Sequence, residues 1–152
     1  MAFRLGRVAL SLKIAAQAII SPVAYAACAL IVRDGKVLLV RHSYVKGWLL
    51  PGGGVSRGEP AQDALLREMR EEIGLTACGP PQFFGLYTRK SGWATNVIVL
   101  FRIDDAEFNF APNFEVREVT FADPLAPPEG TPSSVRSRLR ELAGVEPRSS
   151  YW

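Results

Sequence analysis

The segment from Pro51 to Leu75 constrains this chain more than any other. It opens with Gly52, Gly53 and Gly54, where the backbone can take dihedral angles closed to other residues and can approach a ligand closely. Pro60 suits the first turn of a helix, where a missing N–H costs nothing. Gly74 suits the residue just past a helix end, which often turns left-handed. Between them Ala61, Leu65, Met69 and Ile73 recur every four residues, and Leu66 broadens the stripe. The spacing predicts one amphipathic helix, punctuated at both ends, with its apolar face turned to a core.

Three acidic residues, Glu68, Glu71 and Glu72, fall within five positions of that helix. At about 3.6 residues per turn they are expected on one face. Like charges so placed repel by a few tenths of a kcal/mol per pair. A cation between them turns that cost into affinity. Hard carboxylate oxygens suit Mg²⁺ or Mn²⁺ rather than a thiophilic metal. Arg67 precedes Glu71 by four residues, so it can pair with that carboxylate and orient it. Glu59 is placed to cap the helix start or to join the cluster.

The arrangement Gly53, Glu59, Arg67, Glu68, Met69, Glu71, Glu72, Gly74, Leu75 resembles the signature of the Nudix hydrolases, with every fixed position filled. A match at that many fixed spacings is far more specific than a lone glycine motif. The resemblance implies an α/β/α sandwich, with a mixed β-sheet between helices. It also implies metal-dependent hydrolysis of a nucleoside diphosphate linked to another moiety. Glu68, Glu71 and Glu72 would then hold Mg²⁺ (or Mn²⁺), with the Gly53 carbonyl as a further ligand. The metal would neutralise charge on the leaving phosphate and lower the pKa of a bound water. Glu68 and Glu115 are the candidates for the general base, Glu115 lying where the family often supplies a downstream ligand; Glu118 is a weaker choice. Subfamilies acting on ADP-ribose or on dinucleoside polyphosphates carry a proline or a tyrosine marker downstream. The corresponding position here is Ser91, with Trp93 near it, so neither marker is present.

The rest of the chain fits a single domain over 23–145, preceded by a helix over 1–22 and followed by a frayed tail over 146–152. Asp34-Gly35 between two apolar runs signals a hairpin. Strands are expected over 23–32, 36–40, 82–88, 94–103 and 114–121. Arg89 to Gly92 reads as a basic turn, and Asp104 to Asn113 as a loop. A last helix, capped by Ser133 or Ser134, runs through Leu142, with Arg136, Arg138 and Arg140 on a wet face. The loop from Arg41 to Trp48 is polar and aromatic. Arg41 and Lys46 are candidates for phosphate contacts, and Tyr44 and Trp48 for stacking on a base. His42 is the only histidine. Local hydrogen bonding is its expected role.

Residues 1–26 have a signal-like outline, with Arg4, Arg7, an apolar run and Ala24-Tyr25-Ala26. Lys13 and Gln17 interrupt the run, and cleavage there would trim the first strand. A mature amphipathic helix carrying Leu5, Val8, Leu12, Ala15, Ala16 and Ile19 is the expectation. Its partners would be this domain, a second copy in a homodimer, or an anionic membrane surface. Cys28 and Cys78 lack metal-ligand spacing, which suits two reduced thiols and a cytoplasmic location. A net charge of +3 suits a small nucleotide partner and is too weak to argue stable nucleic-acid binding. Two other functions remain open: a Nudix-fold ligand-sensing module without hydrolysis, and an RNA 5′-end pyrophosphohydrolase.

Overall fold

The computed structural model describes the backbone of residues 2–152 and the side chains from residue 10 onward. The elements in chain order are α1 (Ala2–Ile20), β1 (Val23–Arg33), β2 (Lys36–His42), β3 (Gly52–Gly54), α2 (Ala61–Ile73), β4 (Leu75–Ala77), β5 (Gln82–Ser91), β6 (Ala94–Asp104), β7 (Glu107–Phe108), β8 (Val116–Ala122) and α3 (Ser133–Leu142). The main sheet runs β5-β6-β1-β2-β8, with β3 paired to β1. Strands β1 and β6 pair in parallel. The other pairings are antiparallel, so the sheet is mixed. Strands β4 and β7 form a separate two-stranded ribbon.

Alternation along the strands divides the core into two layers. Ala27, Ala29, Ile31, Leu38, Val40 and Phe101 face α2, which contributes Leu65, Met69 and Ile73. Leu30, Val37, Leu39, Ile98 and Leu100 face α3, which contributes Val135 and Leu139. This is the expected α/β/α sandwich. The Asp34-Gly35 hairpin is present with both residues at positive φ, 50° and 73°, and it pairs Arg33 with Lys36.

Helix α2 ends as expected, with Gly74 left-handed at φ 68°. Pro60 is the N-cap rather than the first helical residue; its ψ of 139° is extended. Strand β5 continues through Ser91, so Arg89 and Lys90 lie in the sheet and not in a turn. The last helix starts at Ser133, and no serine hydroxyl caps it, because Pro132 takes the cap position.

Two readings of the C-terminal region are corrected. Arg138 is buried, not wet. It donates to Glu141 Oε1 at 2.7 Å and to the Tyr151 carbonyl at 2.6 Å. Its guanidinium also lies 4.2 Å from the Tyr87 ring centroid. The tail is not frayed either. Thr88 N–H donates to Ser150 O and Trp152 N–H to Thr88 O, which lays the tail along β5. Arg148 reaches the Phe84 carbonyl at 2.7 Å, and Ser149 N–H donates to Glu141 Oε1 at 2.9 Å.

Helix α1 lies over the expected residues, but its side chains from Leu10 to Ile20 are all exposed. The described side chains of α1, Leu10 to Ile20, thus bury nothing against this domain, one of three expected partners. The side chains of Arg4, Leu5, Arg7 and Val8 lie outside the described residues. Among the described residues no helix is long and apolar enough to cross a membrane.

Candidate functional site

Strand β3 brings the glycines onto β1, opposite Ala26, Ala27 and Cys28. Gly52, at φ 147°, lies so close that a Cβ there would sit 2.2 Å from the Ala27 carbonyl oxygen. Gly53 backs onto α2, where a Cβ would sit 2.3 Å from the Glu68 carboxyl carbon. Glycine is required at both positions by backbone or carboxylate proximity. Glu68 and Glu72 of α2 thereby rest directly against β3.

Three carboxylates converge: one oxygen each from Glu68, Glu72 and Glu115 lies within 4.8 Å of the other two. Glu71 is not one of them. Its side chain is 54% exposed and its nearest charged partner is Arg67 Nη1, at 3.6 Å. Glu68 and Glu72 are one helical repeat apart and share a face, whereas Glu71 is rotated away toward solvent. Glu115 fills the place expected for Glu71. It precedes β8 rather than opening that strand. The expected Arg67–Glu71 pair is thus loose. Arg67 instead grips Glu59 at 3.0 Å and Glu68 at 2.7 Å, and it donates to the Gly54 carbonyl. That guanidinium, with the Ser56 N–H, holds the Glu59 carboxyl down to about 2. Glu59 and Arg67 form a brace for the glycine turn.

Glu72 is almost fully buried and accepts a hydrogen bond from Gly52 N–H at 2.9 Å. Burial pushes its carboxyl up to about 8; the Gly52 bond opposes this, and Glu68, Glu115 and Glu71 reinforce it. His42 Nε2 lies 3.5 Å away. Burial draws the imidazole below its usual value against the pull of Glu115, and Nδ1 has no hydrogen-bond partner. His42 also packs on Tyr44 with ring centroids 5.2 Å apart. It is a buried neighbour of the acidic cluster and not a solvated loop residue.

The donor set fits a hard divalent cation. The oxygens are carboxylate, they are mutually repelling, and one of them is ionised only at a cost in the metal-free protein. A test of that fit is thermal. Glu72 binds its proton more readily folded than unfolded, so the stability this proton confers is present at acid pH. It is lost as the pH climbs from about 4.5 through about 8. The metal-free protein is expected to lose a few kcal/mol over that window, and millimolar Mg²⁺ to flatten the profile. His42 acts oppositely, because its depressed value withdraws stability as the pH falls below 6.5. Melting curves of the wild type and Glu72→Gln in EDTA separate the two. A wild-type profile that Mg²⁺ leaves unchanged would remove the cation from the cluster.

Asn113 carried no signal in the sequence, yet it joins the two halves of the cluster. Its Nδ2 donates to the Glu72 carbonyl at 3.0 Å. Its Oδ1 accepts from the N–H groups of Glu115 and Val116 at 3.0 and 2.8 Å. Ser43 N–H donates to the Glu115 carbonyl, tying the same loop to the end of β2.

Beside the cluster lies a cavity of about 460 Å³, bordered by Gly52, His42 and Tyr44 and floored by Cys28 and Ile98. Of the residues expected to meet substrate, Tyr44 lines it. Arg41 and Lys46 line a shallower depression on the other side of Tyr44, and Arg41 is paired with Glu118 at 2.5 Å. Trp48 lies away from the cavity, packed against the α3-side core and 5.7 Å from the Arg41 guanidinium. Phe84 and Tyr87 are core, whereas Trp93 is 77% exposed.

Mixed sheet, flanking helices, glycine strand and convergent carboxylates define an α/β/α domain with an acidic face. A family model described as NUDIX domain matches residues 22–140, and the chain belongs to the Nudix family. It is 42% identical over 67 residues to an RNA pyrophosphohydrolase of Gluconobacter oxydans, covering 43% of this chain and 36% of that protein. It is 48% identical over 52 residues to the nucleoside triphosphatase NudI of Escherichia fergusonii, covering 31% of this chain and 37% of that protein. The chain thus matches little more than a third of the length of these relatives. A MutT NUDIX hydrolase from Burkholderia pseudomallei superposes with TM-score 0.70 at 22% identity, over 79% of this chain and 98% of that one. The MutT protein of Methanosarcina mazei Go1 gives 0.68 at 23%, over 84% and 98%. These likenesses speak for the fold.

Proposed function

We propose that this protein is a divalent-metal-dependent pyrophosphohydrolase acting on a nucleoside diphosphate linked to another group, with ADP-ribose and nucleoside triphosphates as the first candidates. The observation that carries this reading is the convergence of Glu68, Glu72 and Glu115 beside a cavity of nucleotide size. Those three carboxylates would hold Mg²⁺ or Mn²⁺, with Gly53 beside them as a candidate backbone ligand. The cation would supply charge neutralisation for the phosphate oxygens.

The chain's own residues do the rest. Arg67 and Glu59 keep the turn and Glu68 in place. Glu68 already accepts from Arg67, whereas Glu115 is exposed to solvent. Glu115 is therefore the better placed to take a proton from an attacking water and return it to bulk. Asn113 fixes its backbone relative to Glu72. The intact trio argues against a ligand-sensing module, in which buried repulsion at Glu72 would have no use.

The partial likeness to an RNA pyrophosphohydrolase keeps a second substrate class in view. A phosphate-release panel with Mg²⁺ and Mn²⁺ tests the proposal. It should hold ADP-ribose, nucleoside triphosphates and a 5′-triphosphorylated oligoribonucleotide. Cation-dependent release from a mononucleotide or ADP-ribose is expected. Preference for the RNA, falling steeply with salt, would shift the reading to RNA ends. No release from any member would overturn hydrolysis.

A further inference from the structure

The cavity beside the carboxylates has a far wall that the reaction does not use. Strand order places His42 on β2, Cys28 on β1, Asn96 on β6 and Arg89 on β5, across three strand spacings, roughly 14 Å. Arg89 and Asn96 are cross-strand partners in the β5–β6 register, and both line the cavity. Among the described residues neither side chain has a hydrogen-bond or ion-pair partner. One offers a donor fork and the other an amide with both donor and acceptor. Trp152 closes the same end.

Trp152 is there because the tail is fastened. Its N–H donates to the Thr88 carbonyl at 3.1 Å, and its ring meets Tyr87 edge-on, with centroids 5.7 Å apart at 77°. The buried Arg138–Glu141 pair holds the Tyr151 carbonyl and the Ser149 N–H on either side. The fastened tail thus presents a half-buried indole in the same cavity wall as Arg89, the residue after Thr88, and its cross-strand partner Asn96.

We infer that Trp152 is a specificity-determining residue: with Asn96 and Arg89 it forms a subsite for a planar heteroaromatic base, at the end of the cavity away from the carboxylates. This rests on the hydrolase reading only for the placement of the phosphates. An aromatic wall gives stacking area, and the cross-strand pair gives hydrogen bonds to the ring edge. Arg89 and Asn96 lie on β5 and β6, and His42, beside Glu72, lies on β2, so the cavity spans the sheet between the proposed base subsite and the acidic cluster.

Calorimetric titration of the full chain in Mg²⁺ with AMP, GMP, CMP and ribose 5-phosphate tests this. Trp152→Ala is expected to weaken the tightest-bound nucleotide about tenfold or more, as loss of a stacking ring does. Ribose 5-phosphate should bind as in the wild type, and Trp152→Phe should restore most of the loss. Asn96→Ala, on the rigid sheet and independent of tail docking, is expected to narrow the differences among the three bases. Equal weakening of nucleotide and ribose 5-phosphate would make Trp152 merely a core residue and overturn the inference. So would unchanged nucleotide binding, or a wild type that prefers no nucleotide to ribose 5-phosphate. Base-selective binding without cation-dependent phosphate release would instead sink the hydrolase reading and leave this subsite standing.

Discussion

Glu72→Gln is expected to lower turnover on the best substrate by about 100-fold or more while the protein stays folded. The substitution keeps the shape of the side chain and an oxygen to accept from Gly52 N–H at its 2.9 Å contact. It removes the negative charge that a divalent cation needs from the most buried member of the trio. The same change relieves a desolvated carboxyl pushed up to about 8, so the metal-free variant should melt a few degrees higher than the wild type near pH 8. Falling activity with rising stability is a signature that general disruption cannot imitate. Turnover within a few-fold of the wild type, measured by phosphate release at saturating Mg²⁺, would take Glu72 out of the cation site.

Glu141→Ala is expected to destabilise the fold by about 3–5 kcal/mol. The pair it breaks is dry, with side chains 3% and 1% exposed. Removing Glu141 strands the Arg138 guanidinium under the Tyr87 and Trp152 rings, leaves the Tyr87 hydroxyl without its 2.8 Å acceptor and frees the Ser149 N–H. For a chain of this size that is a fall in melting temperature of roughly 10 °C or more. Glu141→Gln keeps an acceptor for Tyr87 and should lose less. Replacing both partners with apolar residues should cost least, because no charge is then left unpaired. A Glu141→Ala melt within about 1 kcal/mol of the wild type would mean that water reaches Arg138, contrary to its burial.

Much of the site was legible in the chain because its residues lie close together in sequence. Gly53, Glu59, Arg67, Glu68 and Glu72 are brought together by one turn and one helix, and local geometry suffices to relate them. Other partners were not legible, because they arrive from distant strands. Glu115 was a candidate on the strength of family likeness alone; its carboxylate reaches Glu68 and Glu72 through Asn113, whose bonds span 41 residues. Glu71 stands outside the convergent trio for a finer reason. Positions 68, 71 and 72 spread over about 100° of the helix face, and periodicity alone did not say which pair would turn inward. Arg138 misled in the same way. A helix arginine usually stays wet, and only the chain's return along β5 covers this one.

Sequence by itself indicated the α/β/α class, the ends of the acidic helix, the Asp34-Gly35 hairpin and a set of carboxylate donors suited to a hard cation. The α/β/α class follows from the motif's resemblance to the Nudix hydrolases, and the others from backbone sterics, side-chain period or donor type acting over a few residues. Tertiary structure alone decided which three carboxylates meet, that His42 is buried beside them, and that the last residues are fastened rather than loose. It also decided which face of the sheet carries the cavity. These depend on strand order and register, which bring together groups whose separation along the chain carries no trace of their separation in space.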